Sequence, residues 1–584
     1  MTNRALTPKS NRPTEPWRQR LIRSLLYGRN VDRAAKARAR VGLAILAFAC
    51  VYAILAGRLV MFAVGADNHG ARRTASQDAI ATARPDIVDR NGEVLATDVK
   101  APSLFAEPRR IIDKDEAIEL LTATLPDLDT GEVRDRLSSR KGFVWLKREI
   151  TPKQQQDIHR LGIPGIGFLR ENKRVYPTGA EVAHLIGLVN IDNQGIAGME
   201  KWLDSNGLAD LHRAGFATDR LQKPVELSVD LRVEHALRDE LLKAKEKFKA
   251  KAASGLVSNV KTGEIVAMVS VPDFDPNNPK EAHDPDRINR LTTGVYEMGS
   301  TFKAFTLAMA LDSGKYDLNS MWDARGPLHY GKFTIHDDHA LGRMINMKEV
   351  FYYSSNVGAA RIALAQGVEA HKAFLRKMGQ LERLRTELPE SASPILPKRW
   401  AELNTVTISF GHGIAVAPLQ AVMGIDALVN GGYLIPPTFM KRTEQEAMAI
   451  AKRVIKPETS EKMRFLMRLN AEIGTAKKAD VRGYYIGGKT GTAEKVINGR
   501  YAKKRVLNAF TAILPADNPK YQLLIMLDEP QPLKETYGFI TSGWNAVPTG
   551  GAVISRIAPL LGVEPRFDLP PSDRLILATS KTTQ

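Results

Sequence analysis

The feature that most constrains this 584-residue chain is a serine placed three residues before a lysine, at the start of an apolar helical run. Ser300 follows a glycine, Lys303 comes three residues later, and residues 304–311 are almost entirely apolar. Residues three apart on a helix share a face, so the lysine amine lies within reach of the serine hydroxyl. A serine is a weak nucleophile until a neighbouring base takes its proton. The pattern predicts a buried helix that carries a nucleophile and its base.

The Ser-x-x-Lys pattern also begins at Ser138 and at Ser258, and the local sequence separates the three copies. Ser138 lies in a charged run, which is typical of a solvated helix face. Ser258 lies at the end of a predicted strand. Only Ser300 follows a glycine and opens a helix whose next turns can be buried. We therefore predict that Ser300 is the nucleophile.

Two further motifs follow in the chain. Residues 354–356 form the only Ser-x-Asn in the sequence and begin 54 residues after Ser300. Residues 489–492, Lys-Thr-Gly-Thr, begin 135 residues further on and continue a strand-like segment. A second Lys-Thr-Gly begins at Lys261 between two β-rich runs, and this placement predicts a hairpin turn. Only the later copy therefore joins the candidate site.

The order and spacing of these motifs resemble those of the penicillin-binding proteins and the serine β-lactamases. The resemblance implies an acyl-enzyme mechanism in which Ser300 attacks the carbonyl group between two D-alanines. Lys303 would take the proton of Ser300, and Ser354 would pass a proton to the leaving amine. The remaining catalytic and substrate-binding residues implied by the resemblance are Asn356, Lys489, Thr490, Gly491 and Thr492.

The resemblance implies a different role for each of these residues. Asn356 would hydrogen-bond the peptide carbonyl of the substrate. Thr490 and Thr492 share one side of a strand, and in the family that side receives the terminal carboxylate of the substrate. Lys489 would point the other way, toward the Ser-x-Asn motif. The backbone N–H groups of the nucleophile and of Thr492 would form the oxyanion hole.

Lys303 can act as a base only if its amine is partly neutral. An unperturbed lysine has a pKa of about 10.4 and is almost fully charged at neutral pH. We expect three causes to lower the pKa of Lys303: burial, the positive end of the helix that Ser300 opens, and the fixed positive charge of Lys489.

Beyond the motifs, the chain resembles a class B penicillin-binding protein of the septal (FtsI) type over nearly its whole length. Three boxes of the non-catalytic domain support this resemblance, at residues 84–92, 174–177 and 195–200. Pro85 and Met298 depart from residues common in relatives, but neither departure removes a reacting group. The resemblance implies an α/β penicillin-binding transpeptidase fold, with an antiparallel sheet sandwiched by helices. It also implies a mixed α+β pedestal domain before that fold and one N-terminal transmembrane helix.

Half of the net charge of +18 lies in the first 40 residues. This segment has eleven lysines and arginines against Glu15 and Asp32, which leaves nine positive charges. Residues 41–57 are uncharged and mostly apolar, and the apolar character resumes after Arg58. A bilayer span needs about 20 such residues, and the positive-inside rule places the basic segment in the cytoplasm. A membrane anchor therefore explains the basic segment better than nucleic-acid binding does.

These observations predict five parts. They are a basic cytoplasmic arm (1–40), a transmembrane anchor (41–65), a non-catalytic pedestal domain (66–222), the transpeptidase domain (223–565) and a polar tail (566–584). Cys50, the only cysteine, falls in the anchor, so the exported part has no disulfide.

Other chemistry-bearing residues indicate no further site. Residues 336–339, His-Asp-Asp-His, form a short polar loop without a cysteine or glutamate at ligand spacing, so we predict a structural role and no metal. His412 lies in a glycine-rich box at 409–413 where the family requires no histidine, and we interpret it as a positional variant. The sequence lacks a phosphate-binding glycine loop, and no cofactor is implied.

The resemblance implies a peptidoglycan D,D-transpeptidase that cross-links stem peptides at the division septum and is inhibited by β-lactams. Its partners would be a D-Ala-D-Ala donor, an amine acceptor, a membrane glycan polymerase and other division proteins. It would be a single-pass protein of the inner membrane, with its catalytic domain in the periplasm. The alternatives are an elongation-type transpeptidase, a D,D-carboxypeptidase, or a non-enzymatic β-lactam sensor or scaffold.

Overall fold

The structure is a computed structural model that describes residues 17–18, 38, 41–58, 84–207, 223–331, 333–497 and 500–568. Most of the predicted basic arm lies outside the described residues. So do the second part of the predicted anchor, both ends of the predicted pedestal and most of the predicted tail. The chain divides into two compact units, Met1–Thr82 and Ala83–Gln584.

The first unit contains helix α1, Val41–Arg58. Its 18 residues carry no charge before Arg58, and among the described residues it is the one helix both long and apolar enough to span a membrane. At 1.5 Å per residue its length is about 27 Å, close to the roughly 30 Å of a bilayer core. Cys50 is exposed on this helix.

The second unit begins with the predicted pedestal. Its strands are β1 Ile87–Val88, β2 Val94–Ala106, β3 Val144–Lys147, β4 Ile166–Val175, β5 Leu188–Val189 and β6 Gly195–Ala197, and its sheet also includes β7 Val225–Glu226 from the start of the predicted transpeptidase region. Its helices are α2 Lys114–Thr124, α3 Thr130–Ser138, α4 Pro152–Arg160, α5 Ala183–Ile186 and α6 Gly198–Trp202, the last followed by a π-helical turn at Leu203–Gly207. One sheet has the order β3-β2-β1-β7 with β4 also on β2, and β5 pairs with β6.

The pedestal sheet contains a long pair of strands, β2 and β4. The pair is antiparallel from Thr97 opposite Val175 to Ala106 opposite Ile166. Helices α2, α3 and α4 bury their apolar residues against one side of this sheet, in a core that contains Leu104. The Asn-Gly pair at 91–92 turns between β1 and β2, as this dipeptide commonly does between two antiparallel strands.

The three pedestal boxes meet at one buried carboxylate. Arg174 Nε donates to Glu200 Oε1 at 2.6 Å, and both side chains are completely buried. Arg84 Nε donates to the other carboxylate oxygen, Oε2, at 2.9 Å. Arg174 also donates to Asp98 at 3.2 Å and to the carbonyl of Pro85 at 2.9 Å. Residues more than 100 positions apart therefore form one ion cluster with both signs of charge.

The remaining strands and helices form the predicted transpeptidase region. The strands are β8 Ala252–Asn259, β9 Ile265–Val271, β10 Met321–Ala324, β11 Leu328–Tyr330, β12 Phe333–Ile335, β13 Arg343–Asn346, β14 Tyr433–Leu434, β15 Lys452–Arg453, β16 Gly487–Ile497, β17 Arg500–Leu514 and β18 Tyr521–Asp528. The helices are α7 Leu231–Lys247, α8 Lys303–Asp312, α9 Met347–Tyr352, α10 Asn356–Gln366, α11 Val368–Lys377, α12 Glu402–Ile408, α13 Pro418–Val429, α14 Glu444–Ile450, α15 Pro457–Ile473 and α16 Ala546–Leu560.

An antiparallel five-stranded sheet of order β16-β17-β18-β8-β9 lies between two helical layers. Successive residues of a strand point to opposite faces. In β18, Leu523, Ile525 and Leu527 belong to the core formed with α7 and α16. Leu524 and Met526 belong to the larger core formed with α8, α13 and α15. This arrangement confirms the predicted sandwich.

The closing helix α16 begins early, at Ala546, and so includes two adjacent glycines, Gly550 and Gly551. A Cβ on Gly550 would lie 2.5 Å from the ring of Phe510, so glycine at this position lets the helix pack against that ring. Tertiary packing thus overrides the low helix propensity of glycine.

Candidate active site

The candidate nucleophile lies in a 3-10 turn, Gly299–Phe302, directly before α8. In a 3-10 turn residues i and i+3 eclipse each other, so Ser300 and Lys303 align more closely than on an α-helix. Lys303 Nζ lies 2.9 Å from Ser300 Oγ. The predicted pair is therefore in hydrogen-bond contact.

Ser354 lies between the two predicted lysines. Its Oγ is 3.1 Å from Lys303 Nζ and 2.9 Å from Lys489 Nζ. Lys303 also donates to the carbonyl oxygen of Ser354. The backbone of Ser354 has a φ of +59°, a left-handed conformation that non-glycine residues seldom adopt and that clusters at functional sites. Four side chains thus form a continuous hydrogen-bonded chain from Ser300 to Lys489.

Burial makes Lys303 a plausible base. Its side chain is completely buried. Desolvation lowers the pKa of Lys303 to about 7, while the charges of Asp337 and Asp338 oppose this shift. At neutral pH about half of the amine is therefore free to take the proton of Ser300.

Of the three expected causes, burial is confirmed as the largest. The repulsion between the two lysines appears at Lys489, whose pKa is lowered well below its ordinary value by burial first and by the charge of Lys303 second. The contribution of the helix end stays a prediction. Burial thus disfavours the charged form of Lys489, which donates a hydrogen bond to Ser354.

Two segments approach closely where the nucleophile turn meets β16. A Cβ on Gly299 would lie 2.6 Å from the carbonyl oxygen of Thr492. A Cβ on Gly491 would lie 2.5 Å from the carbonyl oxygen of Met298. Only glycine fits at these two contacts. They bring the backbone of Thr492 next to the turn that carries Ser300, as the predicted oxyanion hole requires.

Asp337 fixes the Ser-x-Asn motif from a distant loop. Its carboxylate accepts from the hydroxyl of Ser355 at 2.7 Å and from the backbone N–H of Val357 at 2.9 Å, as well as from the N–H of Asn356. Ser355 is the N-cap of α10, and a carboxylate at a helix N-terminus is stabilising. The side chain of Asn356 donates to the carbonyl of His336 at 3.0 Å. The loop that resembled a metal site therefore positions the helix that follows Ser354.

Three more residues that sequence reasoning missed hydrogen-bond the Lys-Thr-Gly-Thr strand. Asn470 is completely buried on α15 and donates to the carbonyl of Gly488 at 2.8 Å. The backbone N–H of Ser542 donates to the hydroxyl of Thr492 at 3.1 Å. The hydroxyl of Thr490 lies 2.8 Å from that of Thr475. None of these partners lies in a recognisable motif, so the sequence carried no signal for them.

The other motif copies lie outside this cluster. Ser138 ends α3 in the pedestal. Ser258 donates to the buried carboxylate of Asp426 at 2.9 Å. Lys261 lies in the turn between β8 and β9, which confirms the predicted hairpin. Within the part of the chain that the structure describes, no group of three or more histidine, cysteine, aspartate and glutamate side chains could hold a metal ion.

His412 lies near the site without a hydrogen bond to the candidate residues. Its ring packs against those of Phe410 and Tyr501, at centroid distances of 5.4 and 5.5 Å. Burial and the charge of Lys303 lower the pKa of His412 to about 4. A neutral imidazole at neutral pH is consistent with a packing residue.

Two family profiles match the chain. The family described as "Penicillin binding protein transpeptidase domain" matches residues 253–543, which include every candidate catalytic residue. The family described as "Penicillin-binding Protein dimerisation domain" matches residues 79–206, which include the cluster around Glu200.

The chain is similar to several named proteins. It is 40% identical to the "Probable peptidoglycan D,D-transpeptidase FtsI" of Caulobacter vibrioides, over 83% of each chain. It is 31% identical to the "Probable peptidoglycan D,D-transpeptidase PenA" of Neisseria gonorrhoeae, over 92% of this chain and 95% of that one. Penicillin binding protein 3 of Mycobacterium tuberculosis, solved with aztreonam, has the same fold, with a TM-score of 0.63. That likeness covers 84% of this chain and 98% of the other, at 23% identity.

Proposed function

The chain belongs to the penicillin-binding protein family, and we propose that Ser300 is the nucleophile of its peptidoglycan D,D-transpeptidase site. The single observation that carries this assignment is the hydrogen-bonded chain through Ser300, Lys303, Ser354 and Lys489. Both lysines are completely buried and have lowered pKa values, as proton transfer to and from a serine requires. A scaffold without catalytic activity would be expected to lose one of the two lysines, and both are present.

The first half of the reaction is acylation. Ser300 Oγ attacks the carbonyl carbon between the two terminal D-alanines of a stem peptide, and its proton passes to Lys303 Nζ. An ester forms, the C–N bond breaks, and the leaving D-alanine amine takes a proton through Ser354. The N–H groups of Ser300 and Thr492 stabilise the oxyanion, by roughly 2.7–4 kcal/mol for each donor.

The second half transfers the acyl group to an amine of a neighbouring stem peptide. That amine attacks the ester carbonyl, loses a proton toward Ser354 and Lys303, and releases Ser300. Asn356 binds the peptide carbonyl of the donor. Gly491 lets the strand lie close to the nucleophile turn, and Thr490 and Thr492 receive the terminal carboxylate. That carboxylate would raise the pKa of the nearby Lys489.

The protein acts at the membrane. Relatives named FtsI support a septal role, and helix α1 supports a membrane anchor. We infer that residues 1–40 are cytoplasmic, that the catalytic region lies outside the inner membrane, and that a glycan polymerase and other division proteins are partners. Protease added to intact spheroplasts should remove the region after the anchor. Protection of that region would contradict the orientation.

The test of the site is covalent labelling of the full-length membrane protein with a fluorescent penicillin. Wild type should be acylated stoichiometrically at Ser300, and Ser300→Ala should not be labelled at all. Ser138→Ala and Ser258→Ala, which change the same motif elsewhere, should label as wild type when folded. Stoichiometric labelling of Ser300→Ala would refute the assignment. Adding an acceptor amine to the enzyme together with a D-Ala-D-Ala peptide then distinguishes acyl transfer from the hydrolysis expected of a carboxypeptidase.

A further inference from the structure

The segment before the nucleophile lies antiparallel along the glycine-rich segment 411–416. At one end Tyr296 and Val416 exchange two backbone hydrogen bonds, of 2.9 and 3.0 Å. At the other end a Cβ on Gly411 would lie 2.0 Å from the carbonyl oxygen of Gly299. Backbone contacts therefore fix both ends of this pairing.

Glu297 lies between these two contacts. Its Oε1 accepts from the backbone N–H of Gly413 at 2.8 Å. The hydroxyl of Tyr501, on β17, donates to the same oxygen at 3.3 Å. The ring of Tyr501 in turn packs against His412. One carboxylate thus links the nucleophile segment, the glycine-rich segment and the outer end of the β16–β17 hairpin.

This carboxylate has an unusual environment. Among the residues that the structure describes, no lysine or arginine forms an ion pair with Glu297, and its buried Oε2 has no hydrogen-bond partner. Burial raises the pKa of Glu297, while the Gly413 N–H and the Tyr501 hydroxyl oppose this shift. Partly burying a carboxylate without a cation is unfavourable. An apolar side chain at this position would avoid that cost, so stability alone does not explain the presence of Glu297.

We propose that Glu297 is a positioning residue for the acylation of Ser300. It holds the Gly413 amide and the Tyr501 hydroxyl, so that the turn three residues downstream presents Ser300 at the correct place against β16. The inference rests on the proposed role of Ser300 as nucleophile. A displacement of about 1 Å at a reacting group can lower a rate by about 100-fold. Losing the hydrogen bonds of Glu297, three residues before Ser300, can therefore slow acylation.

The test measures the limiting acylation rate and the half-saturating penicillin concentration of the full-length protein. Glu297→Ala should lower the limiting rate by about 10-fold to 100-fold and leave the half-saturating concentration unchanged, because orientation and not binding is lost. Glu297→Gln keeps a carbonyl oxygen that can accept both hydrogen bonds. It should restore the rate to within about threefold of wild type.

Glu446 provides a matched control. Its carboxylate also accepts one backbone N–H and one hydroxyl, both from Thr443, at 2.8 and 2.9 Å, but at the start of the distant helix α14. Glu446→Ala should leave the acylation rate unchanged. A wild-type limiting rate in Glu297→Ala, or a Glu297→Gln variant as slow as Glu297→Ala, would overturn the proposal. Absence of wild-type labelling would instead overturn the proposed function itself.

A second variant decides the matter if Glu297→Ala does not fold. Tyr501 is half exposed, so Tyr501→Phe should fold, keep the ring on His412 and remove only the hydroxyl. We expect a fall of about threefold in the limiting rate. Tyr433→Phe, which removes a hydroxyl bonded to Arg453 on β15, should show none. An unchanged rate in folded Tyr501→Phe would overturn the proposal.

Discussion

The predicted pedestal and the candidate active site both bury two basic side chains, but their surroundings favour opposite protonation states. In the pedestal, Arg84 and Arg174 share the buried carboxylate of Glu200, which accepts from them at 2.9 and 2.6 Å. In the candidate active site, Lys303 and Lys489 share the hydroxyl of Ser354, and among the described residues no carboxylate forms an ion pair with either amine. The first arrangement stabilises the charged side chains, whereas the second favours the neutral amine.

This difference in charge follows from the chemistry of arginine and lysine as well as from their hydrogen-bond partners. Arginine keeps its proton in proteins and binds carboxylates with a planar fork, so it suits a permanent buried ion pair. Lysine readily loses its proton on burial, and both active-site lysines have lowered pKa values. The comparison shows that a buried cation with a matched anion holds segments together. A buried amine whose hydrogen-bond partners are all uncharged can become a base.

The largest expected effect is on the base. Lys303→Ala should lower the acylation rate by about 10²-fold to 10⁴-fold, because Ser300 loses the group that takes its proton. The unfolding temperature should remain close to that of wild type. Lys261→Ala changes a lysine in the same pattern, three residues after Ser258, and should acylate normally. Rapid acylation of folded Lys303→Ala would show that the buried amine is not the base.

The next effect concerns the contribution of the pedestal ion cluster to stability. Arg174→Ala leaves Glu200 and Asp98 with less compensation and should lower the free energy of unfolding by about 3–5 kcal/mol. The fraction that remains folded should still acylate at the wild-type rate. Arg134→Ala, which breaks an exposed ion pair with Asp115, should change stability by less than about 1 kcal/mol. Denaturant titration measures both. A small loss in Arg174→Ala would mean that the cluster does not hold the pedestal boxes together.

A smaller effect is expected at the second lysine. Lys489→Arg keeps a cation for the substrate carboxylate but replaces a compact amine by a planar fork that resists deprotonation. Acylation should fall by about 10-fold to 100-fold, between wild type and Lys303→Ala. Lys495→Arg, on the same strand but paired with Asp528 at 2.9 Å, should have little effect. Wild-type acylation of Lys489→Arg would show that the reaction does not depend on a compact amine beside Ser354.

The mildest test changes pH alone. Acylation needs the neutral amine of Lys303, whose pKa burial lowers to about 7. The rate should therefore level off above about pH 7 and fall about tenfold for each pH unit below it. His412, with a pKa of about 4, titrates too low to produce this midpoint. A midpoint near 10.4 in the pH–rate profile would mean that Lys303 is unperturbed, and the contrast with the pedestal would fail.

Much of the fold followed from local patterns. The hairpins at Asn91-Gly92 and at Lys261 were predictable because a turn between two β-rich runs is a short-range signal. The early start of α16 was not, because the packing of Gly550 against Phe510 has no local signature. The three pedestal boxes were recognisable by their resemblance to a known family. The sequence did not predict that residues of all three boxes contact one another at Glu200.

The sequence by itself determined which residues are the candidates for the chemistry. Ser300 and Lys303 are close in the chain, so their contact follows from local geometry, and the order of the three motifs indicated the family. Only the tertiary structure decided how those groups behave. The pKa of Lys303 depends on complete burial, and Asp337 reaches the start of α10 across some twenty residues of chain. Desolvation and capping by distant loops depend on the folded environment of a residue, and its sequence neighbours do not specify that environment.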